Sequence, residues 1–257
     1  MVTRDRAELA RRAVHCLAEQ TWSNVELVIV DDGDQDYEPM LAPFRDRLDI
    51  HYHRIEARPG EVYLGGLRNR SLEFANGEFC CQWDDDEWYH PTRIEAQMAP
   101  VNNGADGSVL RYTLMHLDAP GLVDHPYRGY VRKATPGTLL HRRSDVRYPN
   151  TPRAEDTVYL QEQRDARDIV TLDESSSHLF IRCFHGSNTW EEKHFTKKLR
   201  KTVPDALRYF AARYLQRDLT RHPAFRLTPV EQEATRQFLA DSREFGLLKA
   251  DRATGAA

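Results

Sequence analysis

Two apolar runs constrain this chain more than anything else in it: Val25 to Val30 and Glu78 to Trp83. The first is rich in β-branched residues and too short for a helix, so it reads as a buried parallel strand. Each run ends in carboxylates, Asp31-Asp32-Gly33-Asp34 in the first case and Asp84-Asp85-Asp86-Glu87 in the second. Helical spacing precedes the first run: Leu9, Ala10, Ala13, Val14, Leu17 and Ala18 share one face of Ala7 to Ala18. A weaker helix (Tyr37 to Arg47) and a strand (Asp49 to His53) follow. After them come a loop through Pro59-Gly60 and Gly65-Gly66, a helix from Leu67 to Ala75 stopped by Gly77, and a helix from Thr92 to Met98. Helix, strand and turn in repetition predict a doubly wound α/β sheet, in which ligands bind at the carboxyl ends of strands. Both acidic clusters fall there.

The second half is less regular. Gly107 to Leu117, Tyr127 to Lys133 and Gly137 to Arg142 read as strands of a mixed sheet. Ala154 to Arg164 reads as a helix opening on Glu155-Asp156, followed by strands at Ile169 to Leu172 and His178 to Phe184. From Thr196 the pattern turns helical. Leu207, Phe210, Ala211, Tyr214 and Leu215 form an apolar stripe, and Thr228-Pro229-Val230-Glu231 is a capping box with Pro at the first helical position. That last helix is predicted to stop at Gly246, with a frayed tail from Lys249.

At 257 residues, with 40% hydrophobic and 30% charged residues, the composition is that of a globular protein with room for a sizeable core. A net charge of −4 argues against a polybasic nucleic-acid binder. No run approaches the apolar length of a membrane span, and the N-terminus lacks the core of a signal peptide. The expected location is therefore cytoplasmic, with peripheral placement at the inner membrane face as the variant. Cys16, Cys80, Cys81 and Cys183 have no metal-ligand spacing and are expected to be buried, reduced thiols.

Five groups could carry chemistry. The tetrad Asp84 to Glu87 repels itself in a half-buried site, and a divalent cation would relieve that repulsion; a solvated acidic turn is the plain alternative. Oxygen-only ligands favour Mg²⁺ or Mn²⁺. Asp31 and Asp32 could accept hydrogen bonds from ribose hydroxyls or base N–H groups, or cap a helix. Arg68 and Arg70 could fork onto phosphate or lie on a solvated helix face. Asp156, with Glu155 beside it, sits where a helix dipole keeps an acid ionised and could act as a general base. Finally, Arg182 to Trp190 gathers His185, Asn188, Thr189 and Trp190, and His185 could bind metal or phosphate.

In order and spacing these segments resemble the family 2 glycosyltransferases of GT-A fold. Gln20 to Gly33 looks like that family's Q-T-Y/W-x-N-x-E run ending in D-D-G-S. Leu67-Arg68-Asn69 resembles its A-R-N segment, Asp84-x-Asp86-Glu87 with Pro91 its D-x-D-D…P element, and Glu155-Asp156 its E-D pair. The resemblance covers roughly residues 2 to 190. It implies a GT-A, Rossmann-like mixed sheet flanked by helices, over residues 1–195, with a C-terminal helical extension at 196–257. Within the first part, residues 1–106 would bind the nucleotide-sugar and 107–195 face the acceptor.

Residue by residue, the resemblance places Thr3, Arg4, Asp31, Asp32, Arg68 and Asp84 around the nucleotide. Asp84, Asp86 and His185 would be at the metal, His185 with the pyrophosphate as an alternative. Asp156 would be the catalytic base, and Glu155 the second candidate for that role. The implied reaction is metal-dependent, inverting transfer of a sugar from a nucleotide-diphosphate donor to an acceptor hydroxyl on a saccharide, a lipid-linked saccharide or a small molecule. Two departures stand out: Asp34 replaces a family Ser, and Met1 to Arg6 matches only the end of the family's first strand. The second predicts a natural start about ten residues upstream, scaled from usual strand lengths.

Three other classes share parts of this pattern. A metal-dependent phosphatase needs a Thr soon after its Asp-x-Asp, absent here, and a nucleotidyltransferase needs a Gly-rich N-terminal loop, absent from Thr3 to Arg6. A degenerate, non-catalytic nucleotide- or carbohydrate-binding protein is the rival of a different class.

Overall fold

A computed structural model describes residues 1–56, 63–119, 121–151, 153–186, 195–200 and 202–248. The Pro59-Gly60 loop, the segment Asn188 to Trp190 and the tail from Lys249 lie outside the described residues. The chain forms two units, one of residues 1–110 and 134–172, the other of 111–133 and 173–257.

In the first unit the β-branched run becomes β2 (Glu26–Asp31), whose Leu27, Ile29, Val30 and Asp31 are all buried. It lies between two parallel neighbours, β1 (Val2–Thr3) and β3 (Asp49–Arg54). The register sets Thr3 opposite Asp31, and Glu26 opposite Asp49. Helix α1 (Ala7–Ala18) buries Ala10, Ala13, Val14 and Leu17, the face its periodicity predicts. The helix expected from Tyr37 to Arg47 is shorter. Helix α2 (Glu38–Leu41) gives way to a 3₁₀ turn at Ala42–Phe44, because Pro43 offers no backbone N–H to continue the ladder. Helices α3 (Leu64–Phe74) and α4 (Arg93–Asn102) complete this half.

The same unit holds a second, mixed sheet. Strand β4 (Phe79–Cys81) pairs antiparallel with β9 (Leu140–Arg142), β9 antiparallel with β6 (Gly107–Leu110), and β6 parallel with β10 (Ile169–Leu172). A short strand β5 (Trp88–Tyr89) and helix α5 (Glu155–Ala166) also belong to this unit. A cavity of about 720 Å³ opens between the β2 edge (Glu26 to Val28) and the β4 edge (Phe79 to Cys81). Cys80 and Cys81 are therefore half-buried on its wall rather than sealed in the core; Cys16 and Cys183 are buried as expected.

In the second unit, β7 (Tyr112–Leu117) pairs parallel with β11 (Phe180–Phe184) and antiparallel with β8 (Tyr127–Tyr130). The strand expected across 107–117 is thus two strands split at Arg111. Leu110 spends its carbonyl on Thr135 N–H and Arg111 on Val131 N–H. Met115, Leu117, Tyr127, Phe195, Leu199, Tyr209, Ala212 and Leu219 form the core of this unit. Helix α6 (Val203–Phe210) runs into a π-helical turn at Ala211–Leu215. Helix α7 (Pro229–Glu244) carries the predicted capping box, with Thr228 and Glu231 bonding each other's backbone N–H.

Glu231 does more than cap. It is 2% exposed, and its carboxylate takes Arg128, Ser177 Oγ at 2.6 Å and Thr228 N–H at 2.8 Å. Burial works against its charge, but Arg128 and Ser177 win and hold its pKa down to about 2, from an ordinary 4.5. A carboxylate depressed on folding stabilises the protein above its unfolded pKa and loses that contribution as pH falls through the folded value. Glu231→Gln is expected to cost about 3 kcal/mol at neutral pH, the lower end for breaking a buried pair. It should also flatten the fall in stability between the ordinary 4.5 and about 2. Urea denaturation across that range checks this; a wild-type slope in the variant contradicts it.

Candidate active site

The site is built where β1, β2 and β4 end. In the acidic turn after β4 the Asp84 and Asp86 side chains are 27% and 17% exposed, while Asp85 between them is at 2%. The tetrad is therefore not a uniformly solvated turn. Asp84 and Asp86 are partly exposed, and Asp85 and Glu87 are buried.

Arginines offset the repulsion that this arrangement creates. Arg6, in the turn from β1 to α1, places Nη2 2.8 Å from Asp85 Oδ1 and Nη1 3.1 Å from Asp86 Oδ2. Thr3 Oγ1, itself 2.7 Å from the Tyr37 hydroxyl, donates to Asp85 Oδ2 at 2.7 Å. Burial and the neighbouring Asp86 still push the Asp85 carboxyl above its ordinary range. Buried Arg12, on α1, donates to the Asp86 carbonyl at 2.9 Å, so the turn is held by its backbone as well.

Arg68, on α3, joins the other two acids. Its Nη2 donates to Asp84 Oδ1 at 3.0 Å, its Nη1 lies 3.0 Å from Glu155 Oε1, and the guanidinium sits over the Tyr148 ring at 5.5 Å. Burial opposes the charge on Arg68, but Asp84, Tyr148 and Glu155 more than restore it. Glu155 is 4% exposed, and burial raises its pKa against the pull of Arg68. Gln82 Nε2 also reaches Asp84 Oδ2, at 3.1 Å. The close approach of α3 and α5 depends on Gly65, where a Cβ would stand 2.0 Å from the Pro149 carbonyl oxygen and 3.3 Å from Glu155 Cβ.

At the end of β2, Asp31 is fully buried. It accepts from Gly33 N–H at 2.9 Å and from the Tyr52 hydroxyl at 2.7 Å. The Asp32 carboxylate, raised above its usual range by burial, lies 3.5 Å from Arg4 Nη1. Asp5 pins the turn by accepting the N–H groups of Asp34 and Gln35 at 2.7 and 3.0 Å. Both bonds hold its pKa below the usual value.

Of the residues singled out in the sequence, Asp84 and Glu155 thus meet through Arg68, while Thr3 and Asp86 are joined through Asp85 and Arg6. Asp31, Asp32 and Arg4 sit at the neighbouring strand end. Asp156 is half-buried in the first turn of α5, beside Glu155. His185 belongs to the second unit, directly after β11, and is buried. Arg70 pairs with Glu73 at 2.9 Å on the exposed face of α3, the plain alternative for it. Sequence reasoning missed Arg6, Tyr37, Tyr52 and Tyr148, the partners that fix the acids. Among the described residues, one group of three His, Cys, Asp or Glu side chains brings its ligand atoms within 4.8 Å: Glu26, Asp49 and His51. It lies at the beginning of β2 and β3, not at the strand ends where Asp31 and Asp84 stand.

If Arg68 binds Glu155 as one unit with Asp84, Arg68→Met and Glu155→Gln should not be additive. Their double-mutant cycle in urea is expected to show a coupling of about 1–3 kcal/mol. Additivity within about 0.5 kcal/mol would remove the pair from the account.

Residues 1–120 match the family model described as glycosyl transferase family 2. EpsH of Bacillus subtilis (strain 168), named as a glycosyltransferase, is 29% identical over 152 residues, 53% of this chain and 44% of that protein. WcaA of Escherichia coli (strain K12), named for colanic acid biosynthesis glycosyl transfer, is 31% identical over 101 residues, 38% of this chain and 35% of that protein. The chain thus spans less than half the length of either relative. Among solved structures, Staphylococcus aureus TarS 1–349 superposes with a TM-score of 0.56 at 17% identity, over 95% of this chain and 79% of that one. The mannosyltransferase PcManGT of Pyrobaculum calidifontis, in complex with GDP-Man and Mn²⁺, gives 0.51 at 16% identity, over 99% and 77%.

Proposed function

From a chain of GT-A fold whose residues 1–120 belong to glycosyl transferase family 2, we propose transfer of a sugar from a nucleotide-diphosphate donor to an acceptor hydroxyl. The observation that supports it most is the split of the acidic turn, with Asp84 and Asp86 partly exposed, Asp85 buried, and Arg6 and Arg68 set against them. Related structures hold UDP and UDP-GlcNAc in TarS, and GDP-Man with Mn²⁺ in PcManGT.

In this reading Asp32 accepts hydrogen bonds from the donor's ribose or base, with Thr3 and Arg4 framing the same strand ends. The sequence assigned Asp31 to that role as well, but it is fully buried and its oxygens accept from Gly33 N–H and the Tyr52 hydroxyl, so it holds the turn instead. Asp84 and Asp86 fit a divalent cation: both carboxylates are accessible, two oxygens apart from the diphosphate suffice, and an all-oxygen set suits Mn²⁺ or Mg²⁺ over Zn²⁺. Such a cation, when bound, would neutralise the leaving diphosphate. Arg68 approaches the nucleotide and fixes Glu155 in position. Asp156, in the first turn of α5, removes the acceptor hydroxyl proton as that oxygen attacks. Attack from the face opposite the leaving group inverts the anomeric centre. The separation of the two neighbouring acids into roles follows their surroundings: Glu155 is sealed against Arg68, whereas Asp156 stays reachable.

The test is turnover of nucleotide-sugar, including slow hydrolysis without acceptor. Asp156→Asn is expected to lower transfer by about 10²–10⁴-fold, the range for losing a general base, with nucleotide affinity unchanged. Asp86→Ala is expected to abolish the Mn²⁺-dependent part of nucleotide binding. Full transfer by the first variant would move the base elsewhere, and unchanged Mn²⁺-dependent affinity in the second would refute the metal site.

A further inference from the structure

The second unit carries a helix that is apolar on two opposite sides, and only one of them is covered. Over residues 203–215, Tyr209 and Ala212 point into the core with Met115, Leu117 and Tyr127. Val203, Leu207 and Phe210 fall within an arc of about 60° on the other side, at 3.6 residues per turn. They are 76%, 66% and 49% exposed, and Tyr214 and Leu215 continue the stripe at 65% and 83%. Phe210 and Tyr214 stack on each other with ring centroids 5.8 Å apart. A contiguous apolar stripe of this kind on the surface marks an interaction site.

Charge says what covers it. Residues 197–226 contain nine Lys and Arg and two Asp, a local net of +7 in a chain whose total is −4. Arg208, Arg213, Arg217 and Arg221 along and after the helix are exposed. The two acids, Asp205 and Asp218, each pair within the segment, with Arg208 at 3.4 Å and Arg221 at 3.3 Å. Basic residues flanking an aliphatic and aromatic stripe are the makeup of a helix that lies in the plane of an anionic membrane surface. The segment is too short to span one, and among the described residues no helix is long and apolar enough to do so.

We propose that the exposed face of residues 203–215 docks onto an anionic lipid bilayer, with Val203, Leu207, Phe210 and Leu215 entering the interface and the surrounding arginines meeting the headgroups. The inference stands on the second unit alone and does not depend on the sugar-transfer reading.

Sedimentation of the full chain with vesicles tests it, using phosphatidylcholine alone or mixed with phosphatidylglycerol. Binding is expected to the mixed vesicles only, and to weaken at high salt. Arg213→Gln with Arg217→Gln should lower the partition coefficient roughly thirtyfold, at about fivefold per basic residue. Leu207→Ser with Leu215→Ser should lower it by at least about tenfold, from lost apolar burial. Both pairs should leave the thermal midpoint in place, since these side chains support nothing inside. Absence of binding, equal binding to both vesicle types, or wild-type binding by the variants overturns the proposal. So does a dimer in gel filtration that Leu207→Ser with Leu215→Ser dissolves, because a second copy would then cover the face.

Discussion

Everything at the strand ends depends on one electrostatic constraint: carboxylates crowded into a half-buried cleft need counter-charges. Arg6 answers Asp85 and Asp86, and Arg68 answers Asp84 and Glu155. These ion pairs do structural work that apolar packing cannot. They fix the turn after β4 to the turn after β1, and the start of α5 to α3. The same pairs leave Asp84 and Asp86 partly exposed. The cleft's own charges are made tolerable by these pairs. Gly65 belongs to this constraint, since any side chain there would push α3 off the Pro149 backbone and move Arg68 with it.

Much of this was legible in the sequence. The β-branched run, the acids after both strands, the face of α1 and the Thr228–Glu231 capping box follow from local rules, and each appears where those rules place it. The pairing partners were not legible. Arg6 meets acids some 80 residues away, and nothing in the spacing of one sequence encodes that contact. Long apolar stretches also concealed a change of partner: the run from Gly107 to Leu117 serves both units and breaks at Arg111. Local propensity has no means of showing that residues 111–133 join the C-terminal helices. The stripe at 207–215 was visible as a pattern, but periodicity does not distinguish a stripe that packs from one that stays exposed.

The two units divide the chemistry accordingly. The first holds the acids and arginines, on a fold shared with TarS and PcManGT at 16–17% identity. The second holds the Arg128–Glu231 anchor and the basic helix with its open apolar face.

In the proposed reaction the cleft at the ends of β1, β2 and β4 takes a nucleotide-diphosphate sugar with a divalent cation. A thermal-shift panel of UDP, GDP, dTDP and CMP sugars, each with and without Mn²⁺, tests it most directly, because a ligand that binds only the folded state raises its stability. One base class is expected to raise the midpoint in the presence of Mn²⁺, by an amount equivalent to about 2.7 kcal/mol at a hundredfold excess over Kd, and much less without it. No shift with any donor, with or without the cation, would contradict the account.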